Sequence, residues 1–333
     1  MNYLFELSKD HKTFPTSEVY SCLSAENINF SVLESNKDII LIESEQNDIQ
    51  RATSRLCFSY YVDEFLFKSS LDIKNIQKQS LQNGIIKKGS IAVKYKNRSK
   101  KINSQDIVKI LANEYAKNRK VTLSNPDIEI RALITDLQVY VGIKLLEINR
   151  SEFEKRKVQF RPFFSPISLH PRTARVLVNL SNVKKEGTLI DPFCGTGGIL
   201  LEAGLIGVKV VGSDIEPKMI QGCKKTLEHY GIRNYDLFCS DIGDVKKHIS
   251  YADAIVTDFP YGKSTTTKGE SMKDLYSRAF DEISKILKKG GRAVIGLSKK
   301  DMIKLAEKYL SLVEIHEFRA HRSLTRYFVV FER

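Results

Sequence analysis

From Pro171 to the C-terminus the chain alternates strand-like and helix-like segments with little between them, and that alternation leaves few folds open. Apolar, β-branched runs read as strands at 188–191, 209–212, 236–239, 254–258 and 292–297. Between them the spacing predicts helices over 198–205, 217–230, 272–287 and 300–310, with a short one after Cys239. Repeated strand-helix units predict an α/β fold with a doubly wound, mainly parallel sheet, because parallel neighbours need a crossover and a helix supplies it. The last two strands, 313–318 and 327–331, are separated only by a loop, so an antiparallel edge is expected there.

The N-terminal half reads differently. Strand signals at 3–7, 30–33, 39–42 and 58–67, with helices from Thr16 or Ser17 and near 48–56, give the order β-α-β-β-α-β of a ferredoxin-like unit whose helices would cover one sheet face. A second small α/β unit follows. It has a helix at 71–77, a strand at 91–95 and a helix at 104–115 with Ile107, Ile110 and Leu111 on one face. Two more strands at 128–134 and 139–145 turn at 135–137, after the Asn125-Pro126 break. The polar stretch 149–157 reads as a linker that the Pro-punctuated RPFFSP at 161–166 closes.

With 333 residues, 42% of them hydrophobic, the chain can bury one or two ordinary cores. No apolar run approaches the roughly 18 residues of a membrane span, and the start MNYLFELSKDH lacks a cleavable apolar segment, so no membrane is expected. Five scattered cysteines without a CxxC pair suggest neither a disulfide framework nor a metal cluster, and a reducing cytoplasm fits them. The net charge of +13 is unevenly spread: −6 over 1–50, +10 over 51–150 and +9 over 151–333. Its densest stretch, 85–120, holds Lys94, Lys96, Arg98, Lys100, Lys101, Lys117, Arg119 and Lys120 with few acids, which suits a polyphosphate backbone; a solvated basic face is the plainer reading.

Chemistry is written at the carboxyl ends of the expected strands. Asp191-Pro192-Phe193-Cys194-Gly195-Thr196-Gly197-Gly198 leaves the first strand and opens a helix, where glycines let a ligand approach the backbone. Asp191 lies before that loop, where it could hold a cationic amine, and Asp214 ends the second strand, where an acid can take ribose hydroxyls. A carboxylate at the mouth of the glycine turn would repel a dinucleotide's pyrophosphate. S-adenosylmethionine has no phosphate and carries an ammonium and a sulfonium, so these residues favour it, with Ile215 beside Asp214 and Asp241-Ile242 placed for the adenine. A helix N-cap is the other reading of Asp241. The fourth strand ends in Asp258-Phe259-Pro260-Tyr261. An exocyclic base amine is a poor nucleophile because its lone pair is conjugated with the ring. Acceptors on Asp258 and the Pro260 carbonyl can localise that pair, and Tyr261 can stack on an extruded base.

In this order the motifs resemble an amino-methylating class I methyltransferase. RPFFSPISLHPRTAR at 161–175, and a THUMP-like module ending NPDIEIRALITDLQVYVGIKL at 125–145, narrow the resemblance to the archaeal-type tRNA guanine-N2 methyltransferases that modify the tenth guanine. The resemblance implies a ferredoxin-like domain at 1–70, an RNA-gripping THUMP domain at 71–148, a linker at 149–170 and a Rossmann-like methyltransferase domain at 171–333. It also implies that Phe163, Phe164 and His170 lie near the cofactor; the residues alone show only a Pro-rich aromatic entry to a helix, for which core packing is an equal reading. Some relatives work with a small zinc-binding activator subunit, which makes such a subunit a partner to test. Most relatives carry Pro where this chain has Phe259.

Other chemistries are discarded on the residues. Residues 252–265 hold no cysteine to attack a pyrimidine, and the chain has no SGGxDS loop, HExxH motif or Walker lysine. Two alternatives stay open: methylation of another base amine, either ribosomal guanine-N2 or adenine-N6, and a non-catalytic RNA-binding protein with a relic cofactor pocket.

Overall fold

The computed structural model describes residues 1–45, 49–165, 168–260, 270–321 and 324–333. Two compact units emerge, each built on a seven-stranded sheet.

The first sheet uses β1 (Asn2–Leu7), β2 (Ser31–Ser35), β3 (Ile39–Glu43), β4 (Ser59–Ser70), β5 (Ile91–Asn97), β6 (Ile128–Ile134) and β7 (Gln138–Glu147) in the order β2-β3-β1-β4-β7-β6-β5. Only β5 and β6 run parallel. The ferredoxin-like strands and those of the THUMP-like segment therefore form one continuous sheet, joined by the long β4/β7 ladder, and the expected boundary at residue 70 falls at the end of β4. Helices α1 (Phe14–Ala25) and α2 (Gln50–Thr53) precede α3 (Ile73–Gln82) and α4 (Ser104–Tyr115). The last of these has the predicted bounds: Asn103 caps its start by accepting from Gln105 N, and Ile107, Leu111 and Tyr115 are buried along one face. Most of α1 and all of α2 group by contact with the second unit rather than with the first sheet. There Glu18 accepts from the backbone N–H groups of Cys57 and Phe58 and from Asn179 Nδ2, a buried network that ties α1 and the segment after α2 to that unit.

The second unit adds α5 (Ser151–Lys155), α6 (Pro171–Leu180), β8 (Thr188–Asp191), α7 (Gly198–Gly204), β9 (Lys209–Asp214), α8 (Pro217–His229), β10 (Tyr235–Cys239), β11 (Ala252–Asp258), α9 (Met272–Ile286), β12 (Leu287–Leu297), α10 (Met302–Ala306), β13 (Ser311–His321) and β14 (Leu324–Glu332). Its order is β10-β9-β8-β11-β12-β14-β13, parallel except for β14, which runs antiparallel to both neighbours. The closing hairpin thus inserts its second strand beside β12 and leaves β13 at the edge. The stretch read as a linker packs into this unit: Arg156 pairs with buried Glu202 at 2.9 Å, and Arg161 is buried. Among the described residues, no helix is long and apolar enough to cross a membrane.

Candidate active site

Strand order in the second unit reverses at β8, which lies between β9 and β11. At such a switch point the loops leaving neighbouring strands diverge and open a crevice at the strands' carboxyl ends. A cavity of about 460 Å³ occupies that crevice, and its lining includes Asp191, Gly195, Thr196, Gly198, Asp214, Ile215, Asp241, Ile242, Asp258 and Pro260. Residues far apart in sequence meet there because parallel strands deliver their last residues to one edge.

The glycine loop is shaped by its backbone. Gly195 and Gly197 have φ of +50° and +78°, and a Cβ at Gly197 would lie 2.5 Å from Cys223 Sγ, so a side chain at Gly197 is excluded on both counts. Asp191 is buried and accepts from Phe193 N, while Asp214 accepts from Gly195 N and Glu216 N at 2.9 Å each, clamping the loop to the next strand. Burial pushes the Asp191 carboxyl up to about 7, with added repulsion from Asp214 and Asp258. Burial also raises Asp214, and lifts Asp258 to about 6 against the pull of Arg326. A pocket that crowds three carboxyls is one that a cationic ligand would relax.

At the fourth strand, Asp258 Oδ2 accepts from Arg326 Nη1 at 2.7 Å, and the Pro260 carbonyl accepts from the Tyr276 hydroxyl at 2.8 Å. Phe259 lies between them at the cavity's inner wall. Fully buried, it meets Phe193, Tyr276 and Phe280 with ring centroids 5.2, 4.8 and 5.2 Å apart, and its N–H donates to Gly296 O. The departure at this position is thus a core anchor that fixes the backbone on either side. Asp241 caps the following 3-10 turn by accepting from Gly243 N, and it also pairs with Arg278, which in turn pairs with Glu270 at 2.7 Å.

Several expected residues lie elsewhere. Phe164 is 60% exposed and His170 caps α6 while its other ring nitrogen faces Glu154, so neither lines the cavity; Phe163 packs on Gly222 of α8. Ser165, Ser168 and Leu169 line it instead, with Ser168 Oγ 3.1 Å from Thr196 Oγ1. Tyr261 lies outside the described residues. In the first unit, Arg98 is not an exposed cation: its guanidinium is buried on Glu6 and Asp38, both at 2.8 Å, because those carboxylates need a counter-charge inside the sheet. Lys94 pairs with Glu129, Lys117 with Glu114, Lys101 donates to Asp136 O, and Arg119 braces the carbonyls of Ile85 and Lys87. Lys96, Lys100 and Lys120 are exposed and pair with no described residue. Arg326, Tyr276, Arg278 and Glu270 were not legible in the sequence, since no local motif marks a residue that reaches the site from a distant element.

The architecture and this pocket define a class I methyltransferase preceded by a THUMP domain. Family models agree: the RMKL-like methyltransferase domain matches residues 159–327 and the THUMP domain matches 68–144. The chain is 33% identical over the full length of both chains to the tRNA (guanine(10)-N2)-dimethyltransferase of Methanothermobacter thermautotrophicus, and 31% identical over 99% of each to that of Methanocaldococcus jannaschii. It belongs to this family of tRNA (guanine(10)-N2)-dimethyltransferases. Among solved structures, TrmN from Thermus thermophilus shares the fold over the whole of both chains, with a TM-score of 0.58 at 18% identity.

Proposed function

We propose that the chain methylates N2 of a guanine in tRNA, the tenth by kinship, using S-adenosylmethionine, and that it can add two methyl groups. The observation that carries this reading is the meeting of Asp258 and the Pro260 carbonyl with the Asp191–Asp214 pocket in one crevice.

The pocket suits the cofactor. Three crowded carboxyls match its ammonium and sulfonium, Asp214 would take the ribose hydroxyls, and the open backbone at Gly195 has no atom within 4 Å of a would-be Cβ. Bound there, S-adenosylmethionine would supply an electrophilic methyl group. The protein's part is to prepare the amine. Asp258 and the Pro260 carbonyl accept its N–H bonds, which draws the lone pair out of conjugation and stabilises the positive charge that develops on nitrogen. Asp258 can then take the amine proton. Tyr261 supplies a stacking face for the base, and exposed Lys96, Lys100 and Lys120, with the partly paired Lys94, Lys101, Lys117 and Arg119, hold the RNA backbone.

Nucleoside mass spectrometry of tRNA after incubation with the chain and S-adenosylmethionine tests the reading, with and without a zinc-binding activator protein. N2-methylguanosine and N2,N2-dimethylguanosine are expected, and N6-methyladenosine or no modified base would overturn it. Asp258→Ala should lower turnover about 10²- to 10³-fold or more while tRNA binding persists.

A further inference from the structure

The two amine acceptors are themselves held by donors from distant parts of the chain. Arg326, on β14, gives Nη1 to Asp258 Oδ2 at 2.7 Å, with side-chain exposures of 11% and 18% respectively. Tyr276, on α9, gives its hydroxyl to the Pro260 carbonyl at 2.8 Å. Gly296, the partner of Asp258 across the β11/β12 ladder, leaves room for the carboxylate: a Cβ there would stand 2.3 Å from Asp258 Oδ1. A carboxylate has two oxygens and a carbonyl oxygen two lone pairs, so each acceptor has one side occupied by its holder and one left for an N–H.

We propose that Arg326 is a positioning residue for methyl transfer: it orients the Asp258 carboxylate and keeps it ionised so that the second oxygen can accept from the guanine amine, while Tyr276 fixes the Pro260 carbonyl. The inference rests on the reading of Asp258 and Pro260 as amine acceptors. Its electrostatic basis is the company Asp258 keeps. Asp191 on β8 adds like charge, the Tyr276 hydroxyl on α9 is neutral, and Arg326 is the cation paired with the carboxylate. A protonated Asp258 would present a hydroxyl donor to an amine that is itself a donor, and catalysis would stop.

The test is single-turnover methylation of tRNA by the full chain from pH 5.5 to 9, beside a carbon-13 NMR titration of Asp-labelled protein in which Asp258→Asn assigns the resonance. Arg326→Gln should raise the acid limb by about one to two pH units, which from a midpoint near 6 slows transfer about 2- to 10-fold at pH 7, and should recover in alkali. Its Asp258 titration midpoint should rise in parallel. Arg326→Lys should keep the wild-type acid limb, and Tyr276→Phe should slow transfer about 3- to 10-fold without moving that limb. An unmoved limb and midpoint in Arg326→Gln would overturn the proposal, as would a pH-independent loss accompanied by a lower melting temperature. If the wild-type chain forms no N2-methylguanosine, the functional reading fails by itself. The titration still judges Arg326, because a raised midpoint supports its hold on Asp258 and an unchanged one refutes it.

Discussion

At the residue scale, the pocket's carboxyls couple ligand binding to protons. Asp191 titrates at about 7 and Asp258 at about 6 in the fold, against an ordinary value of 3.8, so the folded chain holds these protons more tightly than the unfolded one. Their contribution to stability is complete below the unfolded value and is lost as pH rises through about 6 to 7. A cation bound beside Asp191 reverses the preference, because it favours the ionised carboxylate. Binding of S-adenosylmethionine at pH 6.5 should therefore release protons, seen as a dependence of calorimetric heat on the buffer's ionisation enthalpy that fades by pH 8.5. Asp191→Asn should remove most of the release; a wild-type heat independent of buffer would contradict this account of Asp191.

At the scale of elements, Phe259 couples the reactive turn to the core between β11 and α9. Its ring is enclosed by Phe193, Tyr276 and Phe280, so replacement opens a cavity directly behind the two acceptors. Phe259→Ala should destabilise the second unit by about 3–5 kcal/mol, measured by chemical denaturation followed by circular dichroism. Phe259→Pro removes the N–H that donates to Gly296 O and the aromatic volume together. It should therefore be no more stable than the alanine variant, and a proline variant as stable as wild type would mean the turn does not depend on this anchor.

At the scale of the whole molecule, the charge of +13 divides into two kinds of cation. Arg98 pairs with buried Glu6 and Asp38, and removing it leaves each with one remaining partner, Arg131 for Glu6 and Lys9 for Asp38. Arg98→Ala should cost about 1.5–3 kcal/mol of stability and leave the salt dependence of tRNA binding unchanged. Replacing exposed Lys96, Lys100 and Lys120 together with Gln should do the reverse. Stability should move by no more than about 0.5 kcal/mol per site, while the slope of log K against log salt falls by up to about 0.9 for each phosphate that is no longer neutralised. Filter binding over a salt series separates the two outcomes, and an unchanged slope in the triple variant would remove these lysines from the RNA surface.

The amino-acid sequence by itself determined what short-range physics controls. Helix α4 was legible to the residue because an Asn cap and an apolar period act within a few positions, and the carboxyl-edge acids Asp191, Asp214 and Asp258 were legible because each ends a β-branched strand. Tertiary structure alone decided which charges are available and which acceptors are held. Arg98 reads in the sequence like its lysine neighbours, yet its partners Asp38 and Glu6 lie 60 and 92 residues away. Arg326 likewise reaches Asp258 across 68 residues, through a strand inserted antiparallel into a parallel sheet. Local pattern records which segments bury an apolar face, but not which buried charges will meet, because that depends on the order in which the strands pair.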